Sequence, residues 1–128
     1  MKELSELAAA FDRMRSLGVE GIVIDPDPVF LSNPAPFAEL ALAHKLPSAG
    51  DDRSFAYAGG LISRSPNYLA MAPRPARFVD EILEGAAPGD LAVELSTDYE
   101  LVVNLKTARE LGITIPPAVL VQATEAIE

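Results

Sequence analysis

Residues 18–28, GVEGIVIDPDP, decide the fold that the sequence predicts. Gly18 is placed where a helix ends in a left-handed residue, and residues 4–17 before it carry apolar side chains at helical spacing. Residues 19–24 are rich in β-branched side chains and bounded by turn residues, which is typical of a strand buried in a parallel sheet. The two Asp-Pro pairs, Asp25-Pro26-Asp27-Pro28, then form a loop at the carboxyl end of this strand.

Helices and strands continue to alternate after residue 28. Asn33 is predicted to cap a helix that begins at Pro34 and runs through residues 37–44, and Asp51 is predicted to cap a short helix that reaches Tyr57 and ends at Gly59-Gly60. Two further strands are predicted at residues 46–49 and 61–63.

The second half of the sequence begins with a break in this alternation. Because Pro66, Pro73 and Pro75 each lack a backbone donor, they predict a loop or crossing segment between Ser63 and Arg77. The elements predicted after it are a helix at 76–83, a connector at 86–95, a strand at 100–103, a helix at 105–111 capped by Asn104 and ended by Gly112, and a modest helix in the tail after a proline pair. The predicted fold is a single α/β domain, residues 1–128, built as a three-layer sandwich around a mostly parallel sheet.

Composition excludes several classes of function. The chain has 128 residues, 49% of them hydrophobic and 23% charged, which is the range of a folded soluble protein. Its formal charge of −9 disfavours nucleic acids and anionic membrane surfaces. No apolar run approaches the roughly 20 residues of a membrane span. There is no cysteine, and the sequence starts without the basic and apolar segments of an export signal, so the chain as written is expected in the cytoplasm.

The Asp-Pro loop is the first candidate site. Ligands of open α/β sheets bind beyond the carboxyl ends of the strands, where Asp27 is placed to accept a hydrogen bond from a ligand amine or hydroxyl. The alternative is that the two Asp-Pro pairs only form a stiff turn. A divalent cation held by Asp25 and Asp27 with Asp51 or Asp52 is a further alternative, but the spacing matches no known metal loop, and no metal is predicted.

The sequence gives little support for catalysis or for cofactor binding. His44 is the only histidine, and the sequence contains no G-x-S-x-G nucleophile elbow to accompany it. Gly59-Gly60 lacks the third glycine of a dinucleotide-binding loop. The sequence therefore predicts a protein that is not an enzyme and carries no cofactor.

Three segments resemble the substrate-binding proteins of ABC importers, the group with the type I periplasmic-binding fold. They are AFDRMRSLGVEGIVIDPDPVF (10–30), AYAGGLIS with SPN (56–63 and 65–67), and RFVDEILEGAAPGDLAVELSTDYELVVNLKTARELGITIPP (77–117). The most specific patterns are ILEGAAPGDL, ELVVNLKTA and LGITIP. The resemblance covers nearly the whole chain but only about the carboxyl-terminal half of the family's two-lobed architecture.

The resemblance implies a binding domain for a small solute, with amino acids as a common ligand class and an ABC permease as the partner in transport. Members of the family are periplasmic or lipid-anchored. The positions implied to face the ligand are Asp25 and Asp27 in the first loop, and Ser63, Ser65 and Asn67 in the second. The family commonly has Ser-Tyr-Gly where this chain has Ser63-Arg64-Ser65.

With one lobe, the chain is expected to be a truncated, vestigial binding component. The uncovered lobe surface predicts a homodimer or a partner lobe, because large exposed apolar patches tend to become interfaces. The alternative function is an interaction or regulatory module that kept the fold without binding a ligand.

Overall fold

A computed structural model describes residues 6–95 and 97–128 of the chain. These residues divide into two compact units, one formed by the residues up to Ser65 together with Glu100–Glu128, the other by Pro66–Tyr99. The helices are α1 (Leu7–Ser16), α2 (Pro28–Ser32), α3 (Pro34–Ala43), α4 (Arg53–Tyr57), α5 (Tyr68–Met71), α6 (Pro73–Leu83), α7 (Leu105–Leu111) and α8 (Pro117–Leu120). The strands are β1 (Ile22–Ile24), β2 (Ser48–Gly50), β3 (Ile62–Pro66), β4 (Tyr99–Asn104) and β5 (Glu125–Ile127).

The sheet of the first unit has five strands in the order β1-β2-β3-β4-β5. β1 pairs in parallel with β2, β2 with β3, and β4 with β5. This confirms the predicted α/β class with a mostly parallel sheet. The strands predicted at residues 19–24, 46–49, 61–63 and 100–103 all exist, with shifted bounds.

The core of the first unit lies between one face of the sheet and the helices α1, α3 and α4. Its buried side chains include Phe11 of α1, Phe37 of α3 and Phe55 of α4, and the half-buried Ile22 and Ile24 of β1 pack against them. Because side chains alternate along a strand, Ile22 and Ile24 share this face while Val23 points to the other. The described residues of the first helix fit the prediction, and Leu4 lies outside them.

Phe55 packs directly against the backbone at two glycines. A Cβ added at Gly50 would lie 2.6 Å from the Phe55 Cδ1 atom, and one added at Gly60 would overlap the same ring. Only glycine therefore leaves room for the ring at the end of β2 and just before β3. This contact fixes how α4 sits on the sheet.

Three helix ends agree with the sequence. The Asn104 Oδ1 atom accepts a hydrogen bond of 3.0 Å from the Thr107 N–H at the start of α7, and Gly112 ends that helix with a φ of 72°. Gly18 follows α1 with a φ of 70°. Each of these residues acts locally, within one helical turn, which is why the sequence predicts it well.

Other helix predictions were wrong. Asp52, not Asp51, caps α4 by accepting a 2.8 Å hydrogen bond from the Ser54 N–H. Asn33 precedes α3 without a side-chain capping bond; its Nδ2 atom donates instead to the Val29 carbonyl at 3.2 Å. The predicted tail helix is only the four-residue α8, and the chain continues into β5, because pairing with β4 outweighs the local helix preference of Glu and Ala.

The second unit corrects the prediction that prolines prevent a helix before Arg77. α6 begins at Pro73, and Pro75 lies in its first turn. Backbone N–H groups of the first turn have no partner inside a helix, so proline costs little there. The helices α5 and α6 therefore occupy much of the segment between Ser63 and Arg77, and a short 3-10 helix follows at Pro88–Asp90.

Gly60→Ala tests the contact with Phe55. We expect it to destabilise the chain by about 1–3 kcal/mol, because the new methyl group must displace a buried ring. The measurement is urea unfolding followed by circular dichroism. Gly89→Ala is the matched control, since a Cβ there meets no atom within 4 Å, and its effect should stay within about 0.5 kcal/mol. Equal unfolding midpoints for the two variants would contradict the packing described here.

Candidate functional site

The carboxyl ends of β1, β2 and β3 lie side by side. Ile24 pairs with Gly50, and Gly50 pairs with Ser63, in the parallel registers of these strands. One residue further along each strand direction come Asp25, Asp51 and Arg64. The sheet register therefore places two carboxylates and one guanidinium in a row along one edge.

These three residues also share an open groove with a volume of about 260 Å³. Four of its apolar lining residues are Val23 of β1, Ala49 of β2, Ile62 of β3 and Leu101 of β4. They lie on the sheet face opposite Ile22 and Ile24, and Val23 is 79% exposed. The groove thus combines an apolar sheet surface with a charged edge, an arrangement suited to a small amphipathic ligand.

The charges of the groove are mixed. Asp25 and Asp51 are acidic residues and Arg64 is a basic one. Carboxylates accept hydrogen bonds from ammonium groups, and a guanidinium donates two parallel hydrogen bonds to a carboxylate. The edge can therefore bind both ends of a zwitterion.

Asp27 has a structural task in the same loop. Its Oδ1 atom accepts a 2.8 Å hydrogen bond from the Val29 N–H and so caps α2, which begins at Pro28. Asp25 precedes this cap and lines the groove instead. Of the two aspartates predicted to face the ligand, one lines the groove and the other holds the loop that follows it.

Ser63 and Ser65 lie on β3 on either side of Arg64. Both are buried, with 1% and 3% of their surface exposed, whereas Arg64 between them is exposed. Alternation along the strand therefore turns the two serines away from the groove face. The Ser63 Oγ atom has no hydrogen-bond partner among the described residues.

Asn67 belongs to the second unit. Its Oδ1 atom accepts a 3.0 Å hydrogen bond from the Ala70 N–H and caps α5, and its own N–H donates to the Asp98 carbonyl at 2.9 Å. These contacts tie the start of α5 to the chain segment that leads into β4. The predicted ligand role of Asn67 stays a prediction.

The second unit has a cavity of its own, about 340 Å³, lined by the apolar Tyr68, Met71 and Phe78 and by Arg74 and Glu94. Arg74 lies 3.9 Å from both Glu94 and Asp98 and donates a hydrogen bond to the Leu95 carbonyl. The arginine therefore links α6 to Glu94, Leu95 and Asp98.

Two arginines outside the groove have shifted pKa values. The hydrogen bond to Glu94 raises the pKa of Arg77, and the hydrogen bond to Tyr57 raises the pKa of Arg53. Arg53 lies 3.6 Å from Glu100, and Tyr57 donates a 2.6 Å hydrogen bond to Glu125, so this cluster ties α4 to β4 and β5. Both shifts act in the direction that keeps the arginine charged.

Among the described residues, His44 lies apart from the groove. The His44 Nε2 atom lies 3.9 Å from the Asp12 carboxylate, its ring contacts Phe11, and the residue does not line the groove. Among residues 6–95 and 97–128, no group of three or more His, Cys, Asp and Glu side chains is placed to hold a metal ion. In the same part of the chain, no helix has the length and hydropathy needed to cross a bilayer.

Sequence reasoning missed Asp51 and Arg64 as groove residues. Asp51 was assigned to a helix cap that Asp52 provides. Its position in the sequence could have identified Asp51, because it directly follows β2 just as Asp25 directly follows β1. Arg64 was noticed only as a departure from a family pattern, because its neighbours become known only with the strand register.

Comparison with known proteins agrees with this fold. The family model for ABC transporter substrate binding proteins matches residues 1–127, and the chain therefore belongs to that family. A conserved domain protein from Vibrio cholerae O1 biovar El Tor str. N16961 is 30% identical, with a TM-score of 0.80 over 95% of this chain and 41% of that one. An ABC domain in complex with L-Trp from Streptococcus pneumonia is 28% identical, with a TM-score of 0.82 over 99% of this chain and 43% of that one.

CD0873, a substrate binding protein with adhesive properties from Clostridium difficile, shares the fold in its ligand-free, open structure. It is 17% identical, with a TM-score of 0.73 over 100% of this chain and 42% of that one. This chain thus spans about two fifths of the length of its solved relatives. No curated protein matches it.

Asp27→Ala tests the capping role of this loop residue. We expect the variant to lose about 0.5–2 kcal/mol of stability, because the Val29 N–H loses its acceptor. Asp27→Asn should restore most of the loss, since asparagine caps helices as well as aspartate does. Thermal unfolding measures both. The role is disproved if alanine and asparagine destabilise the chain equally.

Proposed function

We propose that this chain is a small-solute-binding domain of an ABC importer, that its ligand is an amino acid, and that it catalyses no reaction. Family membership over residues 1–127 is the observation that carries the proposal. The groove at the carboxyl ends of β1, β2 and β3 supports it, because this is where open α/β sheets bind ligands. A relative of known ligand, the Streptococcus pneumonia domain, was solved with L-Trp.

In this proposal Asp25 contacts the ligand directly and Asp27 acts by holding the loop beside it. Asp25 lines the groove and Asp27 caps α2, which supports this division of roles. Ser63 and Ser65 support the strand that carries Arg64. The physiological partner in transport is an ABC permease.

L-Tryptophan binding tests the proposed function. A ligand that binds only the native state raises the melting temperature, so we expect an increase with L-tryptophan or with another member of an amino-acid panel. Asp25→Asn should weaken binding about tenfold in calorimetry, because a charged acceptor becomes neutral. Asp90→Asn, an exposed carboxylate of the 3-10 helix, is the control. A melting temperature unmoved by the whole panel would count against solute binding.

We also propose that the chain associates, either with a second copy or with a partner lobe. Val23 supports this, because it lies on the edge strand β1 and exposes 79% of its surface. Within the second unit, Leu69, Leu83 and Val93 are each more than 80% exposed. Edge strands and exposed apolar side chains are often found in protein–protein interfaces.

Light scattering of Val23→Lys tests association through β1. We expect the wild-type chain to form a dimer and the variant to be a monomer, because a lysine on an edge strand opposes pairing. Val121→Lys is the control, since Val121 is 87% exposed on a different element. A wild-type monomer contradicts the homodimer. A stable dimer that binds no amino acid would instead favour the alternative function, an interaction or regulatory module.

A further inference from the structure

The central residue of β1 directs both of its backbone hydrogen-bonding groups toward a free edge of the sheet. Among the described strands, β1 is at one end of the sheet and its neighbour is β2. The Ile22 N–H donates a 2.9 Å hydrogen bond to the Pro47 carbonyl, on the side of β2. Successive residues of a strand direct their backbone groups to opposite sides, so the N–H and C=O of Val23 point away from β2. A second strand can therefore pair with Val23 from outside the sheet.

An apolar groove of about 220 Å³ opens beside this edge. Its lining includes Leu7, Ala10 and Met14 of α1. It also includes Ile22, which packs against the helices, and Val23, which points to the opposite face of the sheet. The groove therefore reaches the free edge of β1, and a strand that pairs with β1 also brings its own surroundings close to α1.

The side of α1 that borders the groove has charges of both signs. Successive residues of an α-helix are 100° apart, which places Glu6 and Arg13 beside Ala10. Asp12 lies on the other side of the helix, where its carboxylate is 3.9 Å from the His44 Nε2 atom. The side of α1 next to the free edge thus has an acidic residue at its amino end and a basic residue about two turns later.

We propose that β1 pairs antiparallel with β1 of a second copy of this chain, about a two-fold axis at Val23, and that the two α1 helices lie beside each other across this axis. This inference rests on the proposed association of the chain and specifies its partner and register. In an antiparallel pair, two opposite residues exchange both N–H···O=C bonds, and Val23 turns both of these groups outward. The two five-stranded sheets then form one continuous sheet.

The charges of α1 favour a second copy as the partner. Only residues 17–21 separate α1 from β1 and both elements line the groove, so the chain reverses direction between them. Antiparallel β1 strands therefore bring antiparallel α1 helices, and the end with Glu6 in one copy meets the end with Arg13 in the other. This contact occurs twice, as a two-fold interface requires. It is compatible with other contacts of Glu6, because a carboxylate accepts several hydrogen bonds.

Disulfide cross-linking of Val23→Cys tests the register. The chain has no cysteine, so the introduced thiol is the only one. The Cα atoms of opposite residues in the expected pair are about 5.5 Å apart, which a disulfide can span. We expect oxidation to convert most of this variant into a covalent dimer on a non-reducing gel. Val121→Cys is the control and should stay uncross-linked, since Val121 is equally exposed but lies after α8.

Charge reversal on α1 tests the helix contact. Arg13→Glu and Glu6→Lys should each weaken the dimer about tenfold in sedimentation equilibrium, because two attractive contacts become repulsive. An equal mixture of these two variants should form a heterodimer with close to wild-type affinity, because each contact then joins opposite charges. Arg15→Glu is the matched control and should leave the affinity unchanged, since Arg15 is exposed on the other side of α1.

The possible results separate this inference from the proposed function. A wild-type chain that stays monomeric overturns the inference, and solute binding stands if that monomer binds an amino acid. A wild-type dimer in which Val23→Cys does not cross-link, or in which Arg13→Glu changes nothing, overturns the pairing described here and leaves association through another surface. If the chain neither dimerises nor binds any amino acid, both proposals fail. Circular dichroism confirms the fold of each variant, and if a charge-reversed variant does not fold, the cross-linking still decides.

Discussion

The contact between the Phe55 ring and the backbone of Gly50 and Gly60 is the constraint on which the first unit depends. Gly50 is the last residue of β2 and Gly60 lies two residues before β3, so one aromatic ring from α4 contacts the backbone at the end of one strand and near the start of the next. A side chain at either glycine would push the helix away from the sheet. Because Gly50 also pairs with Ile24 and Ser63, the same contact lies directly behind the row of Asp25, Asp51 and Arg64.

Local signals in the sequence predicted much of this fold. The cap at Asn104, the left-handed glycines Gly18 and Gly112, and the β-branched strand before Asp25 each depend on residues within one turn or one strand. The wrong predictions concerned a helix cap for which two residues are equally suitable, or an element that depends on contacts with distant residues. Asp51 and Asp52 are both good caps, and only the fold of α4 decides between them. The strand β5 exists because β4 is available to pair with it.

The candidate site was also predictable only where local signals decide a residue's position. The sequence identified Asp25 because an acidic residue directly follows a recognisable strand. It could not identify the neighbours of Asp25, because a strand register is a property of pairs of segments far apart in the chain. Arg64 becomes meaningful only when β3 is aligned with β1 and β2, and Ser63 and Ser65 can be seen to face the helices only when the burial of that strand is known.

The order of the strands also has a consequence for how the chain folds. β1, β2 and β3 are consecutive both in the sequence and in the sheet, and the segments that join them, 25–47 and 51–61, are each shorter than the segment that joins β3 to β4. β3 and β4 are also neighbours in the sheet, but the second unit lies between them in the sequence. Closing a longer loop costs more entropy and slows folding. The half of the sheet that carries the charged edge is therefore expected to assemble early, and the β3–β4 pairing to complete the sheet later.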